Sequence, residues 1–270
     1  MAVFFFASQS ETHGPGKGLE GETVPMIQTQ SAIVLRPTPV QEGGLVVSFL
    51  TELGERQVGL ARGAKKPAAK WVSSFEPLGL VRVSFYGKEQ AEIKRVTRCE
   101  LQHSPLTLGH LESVLVIACL ADLFDRVARE GVEDERLFRL LSRCAQALKL
   151  RPDHAPAVLA YAEHWLLHCM GLLPHPRACG RCGNTQAPLV QLSDEGGWRC
   201  AACTPMDRGE ALPHGVHEHL KALRTLPVEE APDPAAGDAA QATTDLLRGR
   251  LLREFGGRLR SYDVLLRMTL

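Results

Sequence analysis

The sequence has no long hydrophobic run and no excess of charge of either sign. No stretch approaches the roughly 20 consecutive apolar residues that a membrane-spanning helix requires, so we predict no membrane association. The apolar segment Ala2–Ala7 is too short for a secretory signal and has no basic residues before it. The 31 basic and 31 acidic residues balance, which excludes a uniformly cationic coat but permits local patches. These absences favour a cytoplasmic protein.

Signatures of common enzyme classes are missing as well. The chain contains no HExxH, GxSxG, Walker or EF-hand pattern, each of which sets catalytic or ligand groups at a fixed spacing. The glycine-rich run 14–21 lacks the GK[ST] ending of a phosphate-binding loop. His164 and His168 lie one helical turn apart without an intervening glutamate, so we interpret them as partly buried structural histidines. We predict that the chain is not an enzyme.

Four of the eight cysteines are concentrated in two CxxC pairs. Cys179 and Cys182 form the first pair, and Cys200 and Cys203 form the second after seventeen intervening residues. Two such pairs supply the four thiolates that tetrahedral Zn²⁺ prefers, and two short strands predicted between them would bring the pairs together. Four thiolates leave no position open for water or substrate. We therefore predict one structural Zn²⁺ ion.

The remaining chain changes from strand-like to helix-like hydrophobic spacing, and the predicted fold class is α+β. Five β-branched segments separated by glycine turns are typical of an OB-fold barrel, and three apolar helical faces follow them. A final basic helix is predicted over 245–270. The predicted regions are a flexible extension at 1–25, the OB-fold nucleic-acid-binding domain at 26–102, a helical domain at 103–176, the four-cysteine zinc ribbon at 177–206, and a C-terminal helical part at 207–270 that packs on the helical domain and contains an acidic linker at 227–244.

A basic loop follows the third predicted strand. Between residues 26 and 100 there are 11 basic and 7 acidic residues, and the basic ones concentrate in this loop. OB-fold barrels bind single strands through a cationic groove and stacking aromatics, so the loop predicts DNA contact. A solvated loop over a core of aromatics is the alternative, and we interpret Phe75, Phe85 and Tyr86 as core. The candidate DNA-binding residues are Arg62, Lys65, Lys66, Lys70 and Trp71 in the loop, with Arg36, Arg82 and Arg95 on strands.

This order of parts resembles the RecO family of recombination mediators. The resemblance spans residues 27–270 and is carried by the segments Ser31–Arg36, Gly59–Lys66, Leu137–Leu141, Cys179–Gly183 and Arg258–Tyr262. It implies a non-enzymatic, nucleoid-associated protein that binds single- and double-stranded DNA and anneals complementary strands. It also implies cooperation with RecR and with the acidic tail of single-stranded DNA-binding protein, so that RecA loads onto coated DNA. Some members of the family lack the cysteines, which implies that the zinc supports the fold.

An acidic tail needs an apolar pocket with a basic rim. The helical bundle and the terminal helix together offer such a site, with Arg126, Arg129, Arg139, Arg143 and Arg253 as candidate cations. Two other functions stay open at this point. One is a zinc-ribbon and OB-fold module for interaction or transcription that has no annealing activity. The other is a zinc-dependent enzyme with its catalytic site elsewhere in the chain.

Overall fold

The structure is a computed structural model that describes residues 26–64, 74–88, 91–107, 109–175, 177–186, 189–192, 197–204, 213 and 215–269. The predicted extension 1–25 and four predicted DNA-binding residues, Lys65, Lys66, Lys70 and Trp71, lie outside these ranges. What was predicted for them stays a prediction. Within the described ranges, no helix combines the length and the apolar character that a membrane crossing requires.

Five strands close into a barrel in the order β1-β2-β3-β5-β4. The barrel closes because β1 pairs with β4 along its first half and with β2 along its second half, while β3 and β5 form the one parallel pair among the described barrel strands. This topology confirms the predicted OB-fold. The strands are β1 (Met26–Pro39), β2 (Leu45–Thr51), β3 (Arg56–Ala61), β4 (Leu80–Gly87) and β5 (Ile93–His103).

The barrel interior follows from side chains that alternate between the two faces of each strand. Val47, Phe49, Val83 and Phe85 point inward and are buried. Gly59 allows the aromatics to approach the β3 backbone, because a Cβ atom there would lie 3.0 Å from Phe85 Cε1 and 3.3 Å from Phe49 Cε2. The small interior is therefore filled by side chains and leaves the outer face for other contacts.

The second half of the chain is helical, with the ribbon inserted between its third and fourth helices. Asp134 caps the N-terminus of the second helix, since its side chain accepts a hydrogen bond of 3.1 Å from the backbone N–H of Arg136. The described helices are α1 (Leu111–Val127), α2 (Glu135–Leu150), α3 (Ala155–Cys169), α4 (Val216–Thr225), α5 (Asp238–Glu254) and α6 (Arg260–Thr269). The ribbon strands are β6 (Leu189–Leu192) and β7 (Trp198–Cys200), which pair antiparallel.

The interval 227–244 is not the continuous linker that its composition predicts. A 3₁₀ turn at Val228–Glu230 buries Val228, and α5 begins at Asp238. Ala240, Thr243 and Thr244 are buried at helical spacing. Small and polar side chains form this packed face, so a search for large apolar residues does not find it.

The predicted final helix is interrupted. Helix α5 ends at Glu254, and α6 begins at Arg260 after Gly256 and Gly257, whose φ angles are 75° and 88°. These left-handed conformations are accessible to glycine and end the helix. The turn brings Tyr262 of α6 back into the helical core, where it is 2 % exposed.

The barrel and the helices share one core. Ile33, Leu35 and Leu50 project from the outer face of the barrel into the cluster formed by α1, α2 and α3. Arg36 spans the same boundary, with its guanidinium 2.8 Å from Asp122 and 3.0 Å from Asp125. One face of the barrel is thereby covered by helices, and the face formed by β1, β4 and β5 carries exposed side chains.

Candidate metal centre and nucleic-acid interface

The fold brings the four predicted metal-binding cysteines together. Their Sγ atoms all lie within 4.8 Å of one another, and those of Cys182 and Cys200 are 3.9 Å apart. Four sulfurs at about 2.3 Å from a tetrahedral Zn²⁺ ion would be separated by about 3.8 Å, so the cluster fits such an ion. Within the described part of the chain, no other group of histidines, cysteines and carboxylates converges closely enough to hold a metal.

Local backbone geometry sets up each CxxC pair. A turn at the first pair is closed by the hydrogen bond from Gly183 N–H to the Cys179 carbonyl at 2.8 Å, and a turn at the second by that from Thr204 N–H to the Cys200 carbonyl at 3.0 Å. The backbone N–H of Cys200 also donates to Cys179 Sγ at 3.4 Å, and this bond is the main reason that the pKa of Cys179 is lowered to about 6. That thiolate is a ready ligand at neutral pH.

The fourth cysteine shows why the cluster is suited to a cation. The hydrogen bond between Cys203 and Cys182, together with burial, raises the pKa of Cys203 to about 12. The crowded sulfurs therefore favour the protonated thiol of Cys203, whereas a divalent ion would stabilise it as a thiolate. The four cysteines can thus hold a metal ion.

Trp198 anchors the ribbon to the helical domain. Its side chain is 2 % exposed, and its indole N–H donates to the Pro174 carbonyl at 2.7 Å. Its ring lies 4.9 Å from that of His217 at the start of α4. This role was not predicted from the sequence, although a large aromatic two residues before a cysteine ligand in a short strand is a signal for a packing anchor.

The predicted DNA-binding residues on the barrel separate into three groups. Arg62, Arg82 and Arg95 are exposed, and no carboxylate of the described residues lies within ion-pair distance of them. Arg36 is bound to Asp122 and Asp125, so DNA phosphates would compete there with two carboxylates. The third group is Lys65, Lys66, Lys70 and Trp71, which lie outside the described residues.

Three aromatic residues in β4 and in the segment before it were predicted as core. Phe75 and Phe85 are 7 % and 1 % exposed, which confirms their prediction as core. Tyr86 is 44 % exposed, so its prediction as core is wrong. The reason is strand alternation: Phe85 points into the barrel, and its neighbour must therefore point outward. Tyr86 lies directly opposite Arg95 of β5.

Two of the five predicted partner-binding arginines line one cavity. Arg139 and Arg143 of α2 border a cavity of about 490 Å³ together with Arg136, Tyr161 and Trp165. We call it the three-arginine cavity. Arg126 borders a different cleft of about 710 Å³ between the barrel and α6, alongside Arg36, Arg258 and Arg260. Arg129 and Arg253 are exposed and line neither space.

A third cavity, of about 780 Å³, lies between the ribbon and helices α3 and α4. His164, His168 and His175 line it, with successive ring centroids 4.6 Å apart. Burial lowers the pKa of His164 to about 3 and that of His168 to about 4. Both histidines are therefore neutral at pH 7.

Two family models and several known proteins are similar to this chain. Models of the N-terminal and C-terminal parts of recombination protein O match residues 26–105 and 109–261. The DNA repair protein RecO of Koribacter versatilis is 29 % identical over 159 residues, which cover 58 % of this chain and 64 % of that protein. The DNA repair protein RecO of Anaeromyxobacter sp. strain K is 27 % identical over 237 residues, covering 84 % and 93 %.

The two matched regions follow one another in the order of the barrel and the helical part, and together they span nearly all of the described residues. A third relative, the DNA repair protein RecO of Exiguobacterium, is 28 % identical over 176 residues, with 65 % of this chain and 70 % of that protein covered. This chain therefore belongs to the RecO family of DNA repair proteins.

Proposed function

We propose that this protein is a recombination mediator that binds single- and double-stranded DNA and anneals complementary strands. With RecR, it assists the loading of RecA onto DNA coated by single-stranded DNA-binding protein. The observation that carries the proposal is the group of exposed barrel arginines, Arg62, Arg82 and Arg95, for which the described residues supply no carboxylate partner. They stand on an OB-fold in a chain of the RecO family.

Annealing requires that the charges of the phosphates be neutralised, and it requires no catalytic step. Two complementary strands repel one another through their phosphates, and basic side chains that bind those phosphates reduce the repulsion without selecting a sequence. Arg62 follows β3 directly and precedes Lys65, Lys66 and Lys70 in the sequence. We assign backbone contacts to these four residues, and to Arg82 and Arg95 on the barrel face.

We further propose that the bound metal is one Zn²⁺ ion with a structural role. Four sulfur ligands suit zinc, and a four-coordinate site has no open position for substrate. When bound, the ion would supply a cross-link between the loop after α3 and the end of β7. Cys179, Cys182, Cys200 and Cys203 would hold it, and Trp198 then keeps the ribbon against the helical domain.

The three-arginine cavity is our proposed site for the acidic tail of single-stranded DNA-binding protein. Arg136, Arg139 and Arg143 provide cations, and Tyr161 and Trp165 provide apolar surface beside them. Arg136 is already paired with Asp134 at 2.7 Å, which leaves Arg139 and Arg143 as the main contacts. Arg126, Arg129 and Arg253 lie outside this cavity, so we place them in a secondary role.

The test is an annealing assay with purified protein and complementary oligonucleotides. We expect the wild type to accelerate annealing and the Lys65→Glu/Lys66→Glu variant to lose most of that acceleration. The variant should also bind DNA more weakly, with a log–log salt slope that is flatter by about 2. Lys149→Glu/Lys221→Glu, which makes the same charge change on exposed helical lysines, serves as the control.

A wild-type protein that binds DNA without annealing it would favour the interaction or transcription module. Unchanged affinity and salt slope in the loop variant would remove Lys65 and Lys66 from the DNA site. Binding of a tail peptide is measured separately, with Arg139→Ala/Arg143→Ala against Arg253→Ala. A tail peptide that crosslinks to the barrel would contradict the proposed location.

A further inference from the structure

The barrel face formed by β1, β4 and β5 carries an exposed aromatic side chain within an apolar row. Tyr86 is 44 % exposed and lies opposite Ile27, which is 64 % exposed. On its other side it lies opposite Arg95 of β5. Paired residues share one face of a sheet, so Ile27, Tyr86 and Arg95 form a continuous strip, which we call the outer row. Ile93, two residues before Arg95, extends its apolar part and is 55 % exposed.

The charges around the outer row are mostly positive. Among the described residues 80–88 and 91–100, four basic and two acidic side chains are exposed. One basic and one acidic residue of this set, Arg98 and Glu100, form an ion pair with each other. Arg82 and Arg95 have no carboxylate of the described residues within ion-pair distance. The row therefore combines an aromatic ring with guanidinium groups that can bind anions.

The outer row also continues toward the basic loop. Arg95 pairs with Leu60 on the parallel strand β3, and Leu60 stands two residues before Arg62. A strand of nucleic acid that crosses the barrel from the loop would pass from Arg62 over Arg95 to Tyr86. This path offers guanidinium groups for phosphates and an aromatic ring for a base, the two kinds of contact that a single strand of nucleic acid uses.

We propose that Tyr86 stacks on a base of single-stranded DNA, with Arg95 and Arg82 at the flanking phosphates. This inference rests on the proposed function, in which the barrel binds DNA, and adds a preference for single strands. In a duplex, the faces of the bases are covered by their neighbours, so an outward tyrosine has no ring to stack on. A single strand presents both a base face and the phosphates. Within the described residues, the Tyr86 ring is in no aromatic pair, so it is available for this contact.

The test measures binding of the full chain to a thymidine oligomer and to a duplex of equal length. We expect Tyr86→Ala to weaken binding of the single strand by about 5- to 100-fold, while affinity for the duplex changes by less than about 2-fold. The salt slope should stay the same because no charge is removed. Tyr86→Phe should bind like the wild type. Leu53→Ala, which trims an exposed side chain in the turn between β2 and β3, is the control.

Arg95→Ala provides a contrast with a different signature. It should weaken both the single strand and the duplex and lower the salt slope by about 1. In parallel, a single strand that carries 5-iodouracil is crosslinked to the wild-type protein by light, and the modified peptide is identified by mass spectrometry. We expect the crosslink on Tyr86, and this readout does not depend on whether Tyr86→Ala folds.

Three results would overturn the inference. In the first, Tyr86→Ala binds the single strand with unchanged affinity and no crosslink forms on Tyr86. In the second, Tyr86→Ala loses affinity for the single strand and for the duplex equally. A loss of binding to a protein partner with DNA affinity intact would likewise overturn it, in favour of a protein interface. If the Lys65→Glu/Lys66→Glu variant still loses affinity in these cases, the proposed function stands without Tyr86. If the wild type binds no DNA, the proposed function itself fails.

Discussion

Single buried polar residues hold the C-terminal helix in place. Glu163 of α3 is 0 % exposed and accepts a hydrogen bond of 2.7 Å from the Tyr262 hydroxyl of α6. Arg248 of α5 lies 3.4 Å from the same carboxylate oxygen and 5.4 Å from the centre of the Tyr262 ring. Burial raises the pKa of both Glu163 and Tyr262. Arg248 thus supplies a positive charge beside a buried acid.

The network around Glu163 predicts a loss of stability when the Tyr262 hydroxyl is removed. Tyr262→Phe should lower the free energy of unfolding by about 1–3 kcal/mol, because it leaves a buried carboxylate with one donor fewer. Urea denaturation provides the measurement. Tyr86→Phe removes the same hydroxyl from an exposed ring and should change stability by less than about 0.5 kcal/mol. Equal effects for the two variants would contradict the structural role of the Tyr262 hydroxyl.

His164 predicts a pH dependence of stability. Burial first, then the charges of His168, His175, Arg224 and His219, lower its pKa to about 3. In the unfolded chain its pKa is near 6.5, so below that pH the unfolded state binds a proton that the folded state does not. The contribution of the neutral His164 to the free energy of unfolding is therefore fully present above pH 6.5. It is lost as the pH falls toward 3, by up to about 1.4 kcal/mol per pH unit.

His164→Leu should flatten the decline of unfolding free energy between pH 6.5 and pH 4.5. The exposed His110 is the matched control, and His110→Leu should show the same decline of unfolding free energy with pH as the wild type. The measurement is a series of urea titrations at fixed ionic strength. A wild-type slope in His164→Leu would mean that other groups cause the acid destabilisation.

At the scale of elements, the ribbon has strands that are too short to keep it folded by themselves. Strands β6 and β7 comprise four and three residues, too few to be stable as an isolated hairpin. The ribbon is held at one end by the four cysteines and on its side by Trp198. Since metal binding and folding are coupled in such sites, removal of the ion should release the ribbon while the barrel stays folded.

Cys182→Ser should therefore lose the bound metal and expose Trp198, seen as a red shift of tryptophan emission and faster proteolysis within the ribbon. Cys169→Ser changes a cysteine of α3 outside the cluster and should retain one metal ion per chain. We expect annealing to fall in Cys182→Ser no further than the loss of folded protein explains. A stable, metal-containing Cys182→Ser protein that cannot anneal would contradict the structural assignment.

At the scale of the whole molecule, the barrel is fixed to the helices by a tight junction. Besides Arg36 and its two aspartates, Arg56 binds Glu130 at 2.9 Å, and its backbone N–H donates to the Arg129 carbonyl at 3.1 Å. Gly54 touches the N-terminus of α2, where a Cβ atom would lie 1.9 Å from the Asp134 carbonyl oxygen. The outer face of the barrel therefore has a defined orientation relative to the three-arginine cavity.

Gly54→Ala tests this junction. Gly54 has a φ of +82° and no room for a side chain, whereas Gly131 has a φ of +69° and no atom within 4 Å of its ideal Cβ position. Gly131→Ala should cost only the backbone strain, about 1–2 kcal/mol, and Gly54→Ala should cost more because the barrel and α2 must also separate. Thermal unfolding of both variants gives the comparison. Equal losses would show that Gly54 does not hold the junction.

The sequence by itself determined the features that depend on local spacing. The two CxxC pairs predicted the cysteine cluster, because a ligand set with fixed spacing needs only a short hairpin to close. Alternating β-branched segments predicted the barrel, and apolar residues at helical spacing predicted α1 to α3. In each of these, the physical cause lies within about twenty neighbouring residues, so it can be seen before the chain is folded.

Only the tertiary structure decided which polar and aromatic side chains are exposed and which are engaged in contacts with other residues. Tyr86 faces outward because Phe85 occupies the barrel interior, and Arg36 is engaged because α1 brings Asp122 and Asp125 to it. Arg248 is largely buried because Glu163 and Tyr262 meet it from two other helices. Residues 238–244 are helical because their small side chains fit against the core. These outcomes depend on contacts between residues far apart in the chain, and local composition contains no information about such contacts.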